Sequence, residues 1–102
     1  MRVEIESQRN EILLQVEGHM DFPTHQEFQD ASGKALEAPG VDRIVIDLTM
    51  VTFMDSAALG MLLLLRERAD ARGRKVVLRN PSPTILKLFS VVNFQKFFEI
   101  QN

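Results

Sequence analysis

The chain has 102 residues, 45% of them apolar and 25% charged, with a net charge of −2 and no cysteine. This is the composition of an ordinary soluble globular domain, and it excludes disulfides, thiolate zinc sites and cysteine nucleophiles. One domain over residues 1–102 is expected, large enough to bury roughly two-thirds of its unfolded surface.

The longest apolar run, Leu59 to Leu65, is too short to span a bilayer. The N-terminus alternates polar and apolar residues and lacks the apolar core of a signal peptide. A cytoplasmic protein without direct membrane attachment is the default expectation. Two histidines, His19 and His25, leave little material for a metal site.

Charge is unevenly placed. Residues 1–55 carry eleven acids against four bases, and residues 56–102 carry three acids against eight bases. Six of those bases lie between Arg66 and Arg79. Arg66, Arg68, Arg72, Arg74 and Lys75 favour the negative end of a helix and solvate it. No aromatic residue interleaves the run and the isoelectric point is near 5.6, so direct nucleic-acid binding is not expected.

In chain order, Val3-Glu-Ile-Glu6 alternates with period two and reads as a half-buried edge strand. A polar turn at Gln8–Glu11 leads to a second, antiparallel strand over Glu11–Glu17, which Gly18 ends. His19–Thr24 reads as a loop, because Pro23 disfavours helix at Phe22. Thr24, with Glu27 three residues on, then has the capping-box pattern of a helix start. Phe28, Ala31, Ala35 and Leu36 recur at helical spacing, and Pro39-Gly40 stops that helix. Arg43–Leu48 is apolar and β-branched, the pattern of a strand covered on both faces.

Asp55 and Ser56 are good N-cap types, and a helix runs from there to about Arg72, with Gly73 beyond its end. Lys75–Asn80 is a fourth strand. Ser82 caps a third helix with Pro83 at its first position, running to Val92. Asn93–Ile100 closes the chain as a short helix or a terminal strand. The order β-β-α-β-α-β-α with a short C-terminal element describes an α/β fold, a mixed and mostly parallel sheet with helices packed on it.

The helix after Asp55 carries five consecutive apolar residues, Met61 to Leu65. One stripe, Ala58-Leu62-Leu65-Ala69, faces the sheet, while Met61 and Leu64 fall to another side. Two readings stay open for that pair: packing against the third helix, or an apolar partner surface beside Ser56. Asp21, Asp47 and Asp55 could converge at one end of the sheet, yet each has a simpler role as a loop, strand-end or cap residue. The chain lacks a Gly-x-Ser-x-Gly elbow and a Gly-rich phosphate loop. No catalytic residue, metal or cofactor is expected.

The stretch Asp47-Leu-Thr-Met-Val-Thr-Phe-Met-Asp-Ser56-Ala-Ala-Leu-Gly60 closely resembles the STAS-domain family, and within it the bacterial anti-anti-sigma factors. Gly18-His-Met-Asp21 and Asn80-Pro-Ser-Pro83 resemble that family's flanking loops in the same register. Many members have Ser-Gly where this chain has Ala57-Ala58, which removes a second hydroxyl and stiffens the helix start.

The resemblance implies partner switching. The unphosphorylated protein would bind a serine kinase that doubles as an anti-sigma factor, releasing a sigma factor or related regulator. Phosphorylation at Ser56 would switch binding off, and a PPM-type phosphatase would restore it. Asp55 would cap the helix and either orient the hydroxyl or help recruit kinase-bound metal. Asp21, Met54, Ala57 and Gly60 would form the contact surface, with Met61 or Leu64 as apolar anchors. Free of its partner, the protein is expected to be a monomer. The other reading the resemblance allows is a soluble adapter or ligand-binding subunit of a membrane transport complex.

Overall fold

The computed structural model describes residues 1–102. Five strands and three helices follow one another as β1 (Arg2–Gln8), β2 (Glu11–Met20), α1 (His25–Glu37), β3 (Arg43–Met54), α2 (Ser56–Ala71), β4 (Lys75–Arg79), α3 (Pro83–Val91) and β5 (Glu99–Gln101). Short 3-10 turns at Phe22–Thr24 and Phe94–Lys96 precede α1 and β5. The C-terminal element is thus both a turn and a strand.

Strand order in the sheet equals chain order, β1-β2-β3-β4-β5. The first pair is antiparallel and the other three are parallel. This order has a structural consequence. Each of the three crossovers β2–α1–β3, β3–α2–β4 and β4–α3–β5 steps to the next strand in the same direction. With the right-handed connection that strand twist imposes, all three helices fall on one face. Ile12, Leu14, Val16, Ile44, Ile46, Leu48, Val76 and Leu78 point to that face and join Phe28, Ala35, Leu62, Leu65, Ile85, Phe89 and Phe94 in one cluster of 25 buried residues.

β3 is buried on both faces, as its composition suggested, but helices cover only one of them. Leu13, Val45 and Val77 stand on the far face as a separate buried cluster. Long charged side chains cover them instead. Arg43 lies 3.8 Å from Glu11 and 3.7 Å from Glu99, Lys75 lies 3.4 Å from Glu99, and Arg79 lies 4.0 Å from Glu11. The aliphatic stems of these residues flank the apolar strip and their charged heads pair above it, with Arg43 Nε itself buried.

Two element boundaries differ from the sequence reading, and both differences shape one end of the molecule. β2 continues past Gly18 to Met20, because Gly18 adopts φ +93° and the register against β3 slips between Gly18 and His19. A glycine at a positive φ beside a slipped register extends the strand rather than ending it. β3 continues past Leu48 to Met54, pairing Phe53 with His19 and Met54 with Met20. There is no connection between β3 and α2 beyond the single residue Asp55.

The basic run reaches elsewhere than expected. Arg72 Nη1 donates to the Leu36 carbonyl at 2.7 Å, and Arg74 Nη1 donates to the Ala35 carbonyl at 2.9 Å. Both guanidinium groups satisfy carbonyls at the C-terminus of α1 rather than at the end of their own helix. Arg66 donates to the Phe97 carbonyl at 2.6 Å and lies over the Phe97 ring, tying down the C-terminal segment.

Candidate functional site

The C-terminal ends of β2 and β3 run side by side and stop together, their last rung completed by the Asp55 N–H donating to the Met20 carbonyl at 3.3 Å. Asp21 follows one strand and Asp55 follows the other. Each carboxylate organises the turn that comes after it.

Asp55 has the extended backbone of an N-cap, and its Oδ1 accepts from the Ala58 N–H at 2.9 Å. Its Oδ2 accepts from the Phe22 N–H at 3.1 Å. One side chain thereby caps α2 and clamps the β2–α1 turn to it. These backbone donors, Ala58 first and Phe22 after it, hold the Asp55 carboxyl below its ordinary value against the opposing effect of desolvation.

Asp21 does the equivalent for the 3-10 turn. Its Oδ1 accepts from the Thr24 hydroxyl at 2.7 Å and from the Thr24 N–H at 3.3 Å. Thr24 does not cap α1 as its capping-box pattern predicted. Its hydroxyl donates to Asp21 and makes no cap hydrogen bond to the helix. The 3-10 turn runs directly into the helix, and the His25 N–H donates to the Phe22 carbonyl.

Ser56 is the first residue of α2 and is exposed. The expectation that Asp55 orients its hydroxyl is not met, since both Asp55 oxygens serve the backbone N–H groups of Ala58 and Phe22. The serine hydroxyl is left facing solvent at the positive end of a helix, beside a carboxylate already committed to the fold.

The other residues singled out from sequence divide into two groups. Ser56, Gly60 and Leu64 are exposed, one turn apart along the same side of α2, with Ala57 half-buried beside them. A Cβ built on Gly60 would meet no atom within 4 Å, so the fold does not require glycine there. Met54 and Met61 belong to the core, at 6% and 9% exposure, which removes both from the contact surface inferred for them. Met54 is withdrawn because β3 continues and turns it inward opposite Met20.

Met61 and Leu64 meet α1, not the third helix. They line a shallow groove with Phe28, Gln29, Ser32 and Leu36. Met61 forms its wall, while Leu64 stands at its lip and is 39% exposed. Asp47 stays apart from Asp21 and Asp55, its Oδ1 accepting from the Thr49 hydroxyl and N–H on the open face of the sheet. No cluster of three or more histidine, aspartate or glutamate side chains is placed to hold a metal ion.

Sequence reasoning missed two exposed aromatic residues at this end. Phe22 is 65% exposed and Phe53 is 47% exposed. Phe22 falls in the stretch read as a loop and Phe53 within the family motif, neither with a role of its own. The spacing of Phe22 and His25 is a local signal, whereas His19, the neighbour of Phe53, lies on a different strand and gives none.

This end of the domain thus presents an exposed serine at the start of α2 with the exposed apolar side chains Phe22, Phe53 and Leu64. The comparisons give the family. Residues 3–100 match the model described as "Mlab, STAS domain", so the chain belongs to the STAS-domain family.

A STAS-domain containing protein of Pseudomonas aeruginosa (strain UCBPP-PA14) is 41% identical over 90 residues, covering 88% of this chain and 87% of the relative. The anti-sigma F factor antagonist of Lysinibacillus sphaericus is 27% identical over 81 residues, covering 79% of this chain and 69% of the relative. Two solved structures share the fold. The phosphorylated form of the Bacillus cell fate determinant SpoIIAA superposes with a TM-score of 0.75 at 22% identity, covering 99% of this chain and 92% of the other. The STAS domain of a SulP transporter from Vibrio cholerae superposes with a TM-score of 0.75 at 17% identity, covering 95% and 77%.

Proposed function

We propose that this protein is an anti-sigma factor antagonist in a bacterial partner-switching pathway, acting in the cytoplasm. Its unphosphorylated form binds an anti-sigma factor that is also a serine kinase, and so releases a sigma factor or related regulator. The kinase phosphorylates Ser56 and ends the interaction, and a PPM-type phosphatase restores it. The observation that carries this reading is Ser56 itself: exposed, first in α2, and free of any structural duty because Asp55 is the cap. Relatives that are anti-sigma F factor antagonists point the same way.

The physics of the switch follows from the site. A phosphate adds about −1.5 to −2 charge at neutral pH. At a helix N-terminus it gains roughly 0.3–1 kcal/mol from the dipole, which the neighbouring Asp55 opposes. The fold therefore tolerates the modification. An interface does not, because burying an unpaired phosphate costs several kcal/mol. Each ~1.4 kcal/mol weakens binding tenfold, so loss of the partner needs no change of conformation. Asp21, Ala57, Gly60 and Leu64 surround Ser56 as the contact residues.

The test is binding of three forms to the purified kinase. Ser56→Ala binds constitutively, Ser56→Asp binds weakly but not as weakly as the phosphoprotein, and the phosphoprotein does not bind. A Ser56→Ala protein that folds and fails to bind would show that the hydroxyl is itself a contact, against the charge argument.

The second reading, a soluble adapter of a membrane transport complex, has its support in the transporter STAS domain of the same fold. Co-purification with a transport ATPase in place of a soluble kinase distinguishes it.

A further inference from the structure

The functional reading above explains why Ser56 controls binding but leaves open what holds the partner. The chain's only two histidines each lean on one of the exposed aromatic rings at this end. The Phe22 ring stacks on His25 with centroids 4.9 Å apart and planes 13° from parallel, and the Phe53 ring lies 5.4 Å from His19. Phe22 is further fixed by its own backbone. Its N–H donates to Asp55 Oδ2 at 3.1 Å, its carbonyl lies 2.6 Å from His25 Nδ1, and Pro23 follows it in the 3-10 turn.

A large apolar ring left 65% exposed yet held at ring, N–H and carbonyl is already ordered for burial. It loses little conformational freedom on docking, which is the property of an interface hot spot. Phe53 sits three residues before Ser56 on the strand that feeds α2, and Phe22 is tied to the cap of α2 by its hydrogen bond to Asp55.

The charge around them defines what they meet. No lysine or arginine occurs from Asn10 to Gly33 or from Ile44 to Leu65, the two stretches whose adjoining ends build this site. Asp21 adjoins Phe22 in the chain and Asp55 accepts from the Phe22 N–H, so two carboxylates lie beside this ring. Arg72 and Arg74 lie at the opposite end on the α1 carbonyls, and Arg2, opposite Glu17 in the β1–β2 register, is paired with Glu4 at 2.7 Å. A second copy of this chain would set acidic face against acidic face, which like-charge repulsion opposes.

We propose that Phe22 and Phe53 are the apolar anchors of the docking face, and that the occupant is a protein with an apolar cleft rimmed by lysine or arginine. This rests on the reading that the Ser56 end binds the partner. It adds the specificity-determining residues and the partner's surface chemistry. The anchors hold the complex in its unphosphorylated state, and the basic rim explains how association is steered to an acidic face.

The test uses the full-length unphosphorylated protein and a purified anti-sigma factor serine kinase from the same organism, titrated by calorimetry. Phe22→Ala and Phe53→Ala should each raise Kd at least tenfold while circular dichroism and the thermal midpoint stay unchanged. Val91→Ala, at an exposed apolar residue on α3 away from the site, should leave Kd within twofold. Raising salt from about 50 to about 500 mM should weaken wild-type binding through screening.

The proposal is overturned if both phenylalanine variants bind within twofold of wild type, if Val91→Ala is equally damaging, or if Kd does not respond to salt. Sedimentation that reveals a dimer abolished by Phe22→Ala would overturn it too, by giving the face to a second copy. Failure of the switch is separable. Binding lost in Phe22→Ala but unaffected by phosphate on Ser56 supports the anchors and refutes only the charge switch.

Discussion

Met61 and Leu64 stand three residues apart on α2, and truncating each to alanine separates the core side of the helix from its outer side. Met61 is 9% exposed and lines a groove with Phe28 and Leu36, whereas Leu64 is 39% exposed at the lip of the same groove. A buried methionine cut to alanine loses its transfer free energy and leaves a cavity, a cost of about 2–5 kcal/mol. The groove beside Met61 lets its walls relax, so the lower part of that range, about 2–3 kcal/mol, applies. In a domain near 100 residues each kcal/mol moves the thermal midpoint by roughly 4–8 °C, giving a fall of about 8–24 °C. Leu64→Ala should cost under about 1 kcal/mol, because part of the side chain is already in water. Thermal and urea denaturation followed by circular dichroism reads both, with the urea slope unchanged if only stability moves. Equal losses in the two variants would mean that α2 is rotated from the setting described, and the exposed side carrying Ser56 and Gly60 would have to be redrawn.

Three further outcomes follow from the same geometry. Ser56→Ala should change stability by less than about 0.5 kcal/mol, since Asp55 is the cap; a loss near the ~1 kcal/mol of a true N-cap in urea denaturation would contradict that assignment. Asp55 has its carboxyl pKa lowered in the fold, so its contribution is present above the unfolded value of 3.8 and disappears as pH falls through the lower folded value. The stability gap between wild type and Asp55→Ala should accordingly be full at neutral pH and close under strong acid, and a gap that persists there would refute the hydrogen-bond account. Arg72→Ala should cost about 1 kcal/mol by releasing the Leu36 carbonyl, and hydrogen exchange should quicken at the C-terminal turn of α1 rather than at the end of α2.

Much of this fold was legible because local and global signals agree. The period-two run at Val3, the Asp55 cap, the Ser82-Pro83 start and the stripe Ala58-Leu62-Leu65-Ala69 each depend on neighbours in sequence, and each is found in the structure. What sequence could not supply depends on pairing between distant segments. Gly18 looked like a strand end, and only the slipped register against β3 turns it into a bulge inside a longer strand. Met54 looked exposed in a connecting loop, and pairing with Met20 buries it. Arg72 and Arg74 read as dipole partners of their own helix, while their acceptors lie more than thirty residues away in α1.

The site divides in the same way. Ser56 and Asp55 are visible as a helix start because capping is local. The clamp from Asp55 to Phe22 spans 33 residues and has no sequence signature. Phe22 therefore enters only when the two strand ends are seen to stop together. The one-sided placement of the helices, with Val45 and Val77 covered by charged side chains, also follows from strand order, which local patterning does not encode.

The central claim is that phosphate on Ser56 decides whether this protein holds its partner. The most direct measurement isolates the protein from its own cells, maps phosphate by peptide mass spectrometry, and identifies what co-purifies with each form. A single phosphate on Ser56 is expected, with a serine kinase bound only to the unmodified protein and affinity at least tenfold lower after modification. A chain never phosphorylated under any growth condition, bound instead to a transport ATPase, would contradict it and leave Ser56 as an ordinary first residue of a helix.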